Sequence, residues 1–150
     1  MIRQANKYDI DNIIEMLKNY RDADTSGLVN KANDREYIVS ILSQIIAGLG
    51  VILIAEKEKP VGLLIAIINL NIWNPDTVEL HELAYWVEPE ARNGTIGYRL
   101  LKAYCDYGDQ LKQEGRINFY TISKMIESPD IKYHKFGFNK LEEKIGRAHV

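Results

Sequence analysis

Apolar residues recur every three or four positions in three stretches of the chain and form short unbroken runs between them. The first periodic stretch puts Ile10, Ile13, Ile14 and Leu17 on one helical face, with Asp9 available as a cap. The second carries Ile38, Ile41, Leu42, Ile45 and Ile46 from a start near Asn33 or Asp34, and Gly48 and Gly50 mark its end. The third spans residues 95–114, with Ile96, Leu100, Leu101, Tyr104 and Leu111 on one face and Gly115 as its stop. The unbroken runs read as strands over residues 2–5, 51–56, 61–70, 78–87 and 117–122. Glu58-Lys59-Pro60 joins two of them as a hairpin, and residues 71–76 form a loop holding Trp73 and Pro75. Ser128-Pro129 starts a short helix that ends at Gly137, and Phe138 opens a last strand.

The predicted order is β-α-α-β-β-β-α-β-α-β. Strand-helix-strand repeats in the second half imply parallel pairing through right-handed crossovers, while the first half supplies antiparallel strands. The fold class expected is α/β, a central mixed sheet flanked by helices on both faces. No repeat, low-complexity tract or linker divides the chain, so it reads as one domain.

Composition narrows the function classes. Hydrophobic residues make up 46% and charged residues 27%, and the net charge is -2. Nothing in that balance points to nucleic acid or to an anionic membrane surface, and no apolar run reaches the ~20 residues of a membrane helix. The single cysteine, Cys105, lies on the apolar side of the long helix and reads as core. A lone cysteine and no secretory leader give the expectation of a reducing, cytoplasmic setting. No HExxH, CxxC or acidic calcium loop is present, so no metal is expected. Residues 145–150 back-translate to a common sequencing-adapter string. The expectation is therefore a domain over residues 1–144 and a non-native tail over 145–150, a natural polar tail being the alternative.

The segment Val87-Glu88-Pro89-Glu90-Ala91-Arg92-Asn93-Gly94-Thr95-Ile96-Gly97-Tyr98 leads from a strand into the longest helix. Amides opening a helix have no partner within it, and the helix dipole adds partial positive charge there. Gly94 and Gly97 give room for a phosphate, the Thr95 hydroxyl can add a bond, and Arg92 supplies permanent charge. The same residues also suit a capped helix whose glycines serve only turning and packing. A nucleotide-triphosphate loop is excluded by the missing Gly-Lys-Ser/Thr ending, and a dinucleotide fingerprint by the missing earlier glycine.

This stretch resembles the pyrophosphate-binding motif of the GCN5-related N-acetyltransferase (GNAT) family: Val-x-Pro, then Arg, then glycines opening a long helix. Val87-Glu88-Pro89, Arg92 and Gly97 carry the likeness, and Thr95 stands where the family usually has glycine. The element order agrees over nearly the whole chain and stops before the family's last strand, which implies a truncated C-terminal strand. The resemblance implies acetyl-CoA as co-substrate and no metal. Its pantetheine arm would pair with backbone near Trp86 and Val87, and its pyrophosphate with the amides of Asn93, Gly94, Thr95, Ile96, Gly97 and Tyr98 beside Arg92. Arg99 and Lys102 are either adenosine-phosphate contacts or solvated surface.

A second likeness lies in Tyr133-His134-Lys135-Phe136-Gly137-Phe138, where a tyrosine precedes by four residues the glycine of a Gly-Phe pair. In the family that hydroxyl protonates the departing thiolate, which is feasible between a phenol at ~10 and a thiol at ~8.5. Tyr133 is equally a core tyrosine by pattern, Phe136 and Phe138 read as core, and His134 reads as surface.

Glu79, His81 and Glu82 interrupt the strand over residues 78–87. An amine nucleophile arrives protonated at neutral pH, and something must take its proton. The resemblance places the family's frequent base on this strand, so His81 and Glu82 are the candidates and Glu79 the third. Alternation would put His81 and Glu82 on opposite faces, and a bulge would change that parity. A salt-bridged or edge-exposed cluster is the other reading of the three.

What the resemblance implies is N-acetyl transfer from acetyl-CoA to a primary amine by direct attack in a ternary complex. The partners expected are acetyl-CoA and an amine acceptor, the chain acting as monomer or homodimer. The loop over residues 23–33, the second helix and the Trp73 loop would select the acceptor, Trp73 walling the cleft or covering core. The alternative is a non-catalytic CoA-binding or protein-interaction module of the same fold.

Overall fold

The computed structural model describes residues 1–23, 34–124, 131–143 and 145. The predicted loop over 23–33 falls outside it beyond Ala23. So do Ser128-Pro129, Lys144 and all of the tail but Ile145.

Five strands form one sheet in chain order: β1 (Ile2–Gln4), β2 (Gly50–Glu56), β3 (Pro60–Leu70), β4 (Val78–Val87) and β5 (Phe119–Thr121). The first four pair antiparallel, and β4 with β5 pairs parallel, as the mixed-sheet expectation requires. Helices α1 (Ile10–Ala23) and α2 (Arg35–Gln44) cover one face, and α3 (Ile96–Gln113) covers the other.

Period two in the strands sorts the core into two layers. Ile52, Ile54, Leu63 and Ile65 point to α1 and α2, where they meet Ile13, Ile14, Met16 and Leu42. Leu53, Ala55, Leu64 and Ala66 point to α3, where they meet Leu100, Leu101, Tyr104 and Leu111. Because both faces are covered, β2 and β3 are near-continuous apolar runs.

Three local expectations are corrected. The cap ahead of α1 is Asn6, whose side chain accepts the Tyr8 N–H (2.9 Å), while Asp9 accepts the Asn6 N–H (2.8 Å) and closes a 3-10 turn, Lys7–Asp9. Asp9 is buried, and a side chain already paired with Arg3 is better placed inside that turn than at its mouth. Second, regular α2 stops at Gln44, so Ile45 and Ile46 lie in a wide turn, Ile45–Leu49, rather than in the helix; Gly48 at φ 133° and Gly50 at the start of β2 do mark the end, as expected. Third, residues 138–143 form no strand. A strand needs a neighbour to complete its ladder. The Phe138 N–H instead bonds back to the Tyr133 carbonyl (3.3 Å), and its ring packs against Tyr120 and Tyr133.

Candidate active site

The site sits where β4 and β5 part. Their pairing runs Glu79 with Phe119, Leu80 with Tyr120 and His81 with Thr121, and β4 continues beyond it with no strand on that side among the described residues. On its other side β4 stays paired with β3 through Val87. The Glu88 N–H bonds to the Val61 carbonyl (2.8 Å), which fixes the phase of that ladder. In that phase Trp86 spends its backbone groups on Leu63, while Tyr85 and Val87 turn theirs to the open edge. Of the two residues expected to meet a pantetheine arm, Val87 is therefore the one that faces the gap. Its carbonyl is taken by the Arg92 Nε (2.7 Å), which leaves its N–H.

A bulge occurs in β4 at Leu83: Ile65 pairs with Ala84 and Ala66 with Glu82. It comes after His81 and Glu82, so their alternation stands and they point to opposite faces. The bulge instead re-aims the residues that follow, putting Tyr85 and Val87 on the α3 face with Leu80 and sending Ala84 and Trp86 to the other. Leu83 itself is exposed.

Glu82 is buried on the α3 face, at 5% exposure. Burial pushes its carboxyl up to about 8, only partly offset by the backbone N–H of Ser123. At neutral pH it is mostly a neutral acid. Tyr85 lies nearby, its hydroxyl raised chiefly by burial and then by Tyr133 and Glu82. That hydroxyl donates to the Gly97 carbonyl and ties β4 to the first turn of α3. Tyr133 is half-buried against the same core layer, in a 3-10 turn (Tyr133–Phe136), its ring 6.3 Å from that of Phe138. Tyr98 stacks on Phe136 at 6.4 Å.

On the opposite face His81 and Glu79 converge on Thr121. The Thr121 hydroxyl donates to Glu79 (2.6 Å), and His81 Nδ1 lies 2.9 Å from the same oxygen. Glu79 and His81 are themselves 3.8 Å apart. The salt-bridged cluster weighed from sequence thus describes Glu79 and His81 but not Glu82. Thr121 carries no sequence signal of its own; only the parallel register of β5 brings it there.

The turn into α3 is open. Residues 89–91 form a 3-10 turn, and the helix begins at Ile96 behind Thr95, whose side chain makes no capping bond. The first amides of the helix therefore keep their donors free of side-chain caps. A Cβ on Gly94 would meet nothing within 4 Å, and one on Gly97 would touch the Tyr85 hydroxyl at 3.5 Å and Val87 Cγ2 at 4.0 Å. Gly94 thus leaves space in front of the amides. The Arg92 guanidinium lies 4.5 Å over the Trp86 ring, which also packs on Tyr20. Asn19 donates to the buried Glu88 (2.9 Å) and braces this turn from α1.

The remaining candidates separate cleanly. His134 is exposed, as expected. Cys105 is buried in α3, and burial raises its thiol, which suits core rather than a nucleophile. Trp73 is 90% exposed on the β3–β4 loop and covers no core. Lys102 pairs with Asp106 (2.6 Å). Among the described residues no group of His, Cys, Asp and Glu is arranged to hold a metal, and no helix is long and apolar enough to cross a membrane.

The chain is thus a mixed sheet split at its parallel pair, with an uncapped helix start beside the split, and the comparisons say which family shares that frame. The sequence model of the acetyltransferase (GNAT) family matches residues 14–138, and the chain belongs to that family. No curated protein matches it. Among solved structures it is similar to a possible acetyltransferase from Clostridium difficile 630 (17% identity, TM-score 0.72, covering 100% of this chain and 97% of that one). It is also similar to a predicted acetyltransferase from Clostridium acetobutylicum solved with acetyl-CoA (15%, 0.73, 98% and 94%). An acetyltransferase from Trypanosoma brucei shows the same likeness (15%, 0.70, 100% and 99%). At these identities the likeness is one of fold.

Proposed function

We propose that this chain transfers an acetyl group from acetyl-CoA to a primary amine, by direct attack with both substrates held in the split between β4 and β5. The observation that carries the reading is the open, uncapped start of α3 beside an edge of β4 that no strand among the described residues covers. A diphosphate fits the amides from Asn93 to Tyr98, with Gly94 giving clearance and Arg92 adding charge. The Val87 N–H on the open edge suits the pantetheine arm. Tyr133 and Glu82 approach the split from the α3 face, and His81 from the face of α1 and α2.

The amine nitrogen bonds to the thioester carbon as the carbon–sulfur bond breaks. Edge amides of β4 near Tyr85 to Val87 stabilise the oxyanion. The Tyr133 hydroxyl gives its proton to sulfur, and a base on β4 takes the proton from nitrogen. Glu82 holds its own proton at neutral pH, with a carboxyl at about 8, which favours His81 as the acceptor there. Holding two substrates in line supplies much of the rate.

Thiol release from acetyl-CoA across an amine panel tests the reading, with Tyr133→Phe, His81→Gln and Glu82→Gln beside the natural chain. The expected result is a fall in kcat of about a hundredfold for His81→Gln and Tyr133→Phe. Full turnover in both would remove these roles. CoA binding with no turnover on any amine would favour a non-catalytic CoA-binding module.

A further inference from the structure

We infer that Thr121 is a positioning residue that locks His81 in one tautomer, so that His81 Nε2 is the atom that receives the proton of the amine. The inference rests on the acetyl-transfer reading for its chemical consequence, but the tautomer itself follows from donors and acceptors alone.

A hydroxyl has one proton to give. A carboxylate only accepts, so the 2.6 Å contact to Glu79 takes the Thr121 proton. Thr121 Oγ1 then has only lone pairs left for His81, and the nitrogen 2.9 Å away must carry hydrogen. Neutral His81 is therefore protonated on Nδ1, and its Nε2 bears a lone pair. When Nε2 takes a proton, the Nδ1–H to Thr121 to Glu79 chain stays intact, and Glu79 at 3.8 Å offsets the new charge. No group in the chain must reorient during the transfer.

The chain is built into the sheet rather than draped on it. His81 and Thr121 are the last paired residues before β4 and β5 separate, so the imidazole sits at the lip of the split. The Thr121 backbone is held from the other face: the hydroxyl of Tyr104, fully buried, lies 2.6 Å from its carbonyl and 3.2 Å from that of Leu80. Ile67 on β3 is the cross-strand neighbour of His81 and brings no competing polar group.

Nitrogen-15 spectra of the histidine-labelled full chain read the tautomer directly, with the His81 signals among the three histidines assigned through His81→Gln. The natural protein is expected to show hydrogen on Nδ1 and none on Nε2 in the neutral ring. Thr121→Val should move the hydrogen to Nε2 and lower kcat about tenfold or more at unchanged KM for acetyl-CoA, and Thr121→Ser should restore both. Hydrogen on Nε2 in the natural protein would overturn the inference even if acetyl transfer is confirmed. So would an unchanged tautomer in a folded Thr121→Val. If no amine is acetylated, the transferase reading fails, while the tautomer measurement still decides the role of Thr121. An altered tautomer with full kcat would confine Thr121 to structure and overturn its catalytic consequence.

Discussion

Two buried carboxyls show how environment assigns opposite behaviour to similar groups. Asp9 is 6% exposed and receives two 2.8 Å bonds from the Arg3 guanidinium, which also reaches Glu56 at 3.2 Å. The Arg3 hydrogen bonds hold the Asp9 carboxyl below the usual range despite burial. That contribution to stability is complete above an ordinary carboxyl value of about 4 and is lost as pH falls below it. Arg3→Ala leaves Asp9 buried without its cation, held by the Asn6 N–H alone, and urea unfolding at pH 7 should show a loss of roughly 2–4 kcal/mol. Burial dominates at Glu82, offset only in part by the Ser123 N–H, and its folded value is raised. Its contribution is complete below 4.5 and is lost as pH climbs toward about 8. Glu82→Gln has no proton to lose. Its melting temperature should be flatter between pH 5 and 9 and should exceed that of the natural protein at pH 9. A lower melting temperature for the variant across that whole range would contradict the raised value.

Among elements, the loop into α3 and strand β4 hold the candidate site residues, and their sequence signals differ in strength. The turn into a long helix was legible because glycine and a helix start have narrow physical meanings, and the helix begins at Ile96 as the pattern placed it. The structure adds that Tyr85 fastens the first turn through the Gly97 carbonyl, a contact that spacing along one chain segment does not show. The alternation of β4 placed His81 and Glu82 on opposite faces, and they lie there. The bulge at Leu83 was not readable, because apolar residues continue through it on both faces. Thr121 was invisible for a similar reason: a threonine in a strand is ordinary until the register sets it beside His81. The strand expected at Phe138 failed because pattern reports a side chain's preference, whereas a strand also needs a partner. At this scale Gly94→Asp is the informative change. It adds negative charge where Gly94 now leaves open space, and CoA affinity should fall about tenfold or more with little change in thermal stability. A variant that binds CoA as the natural chain does would place the diphosphate elsewhere.

For the molecule as a whole, the mixed order of the sheet was readable because hairpins and a strand-helix-strand crossover leave few topologies. Two helical layers bury both faces of β2 and β3, so the middle of the sheet is continuous core and the split lies at its margin. A co-substrate that bridges the open edge of β4 and the start of α3 adds to a junction that Tyr85 already ties at the Gly97 carbonyl. Binding should then protect both at once. Amide hydrogen exchange with and without CoA reads this most directly. The account predicts slowed exchange at residues 93–98 together with Val87, and unchanged rates in α1. Identical exchange in that turn at a CoA concentration that saturates a calorimetric titration, or a titration with no heat at all, would contradict it.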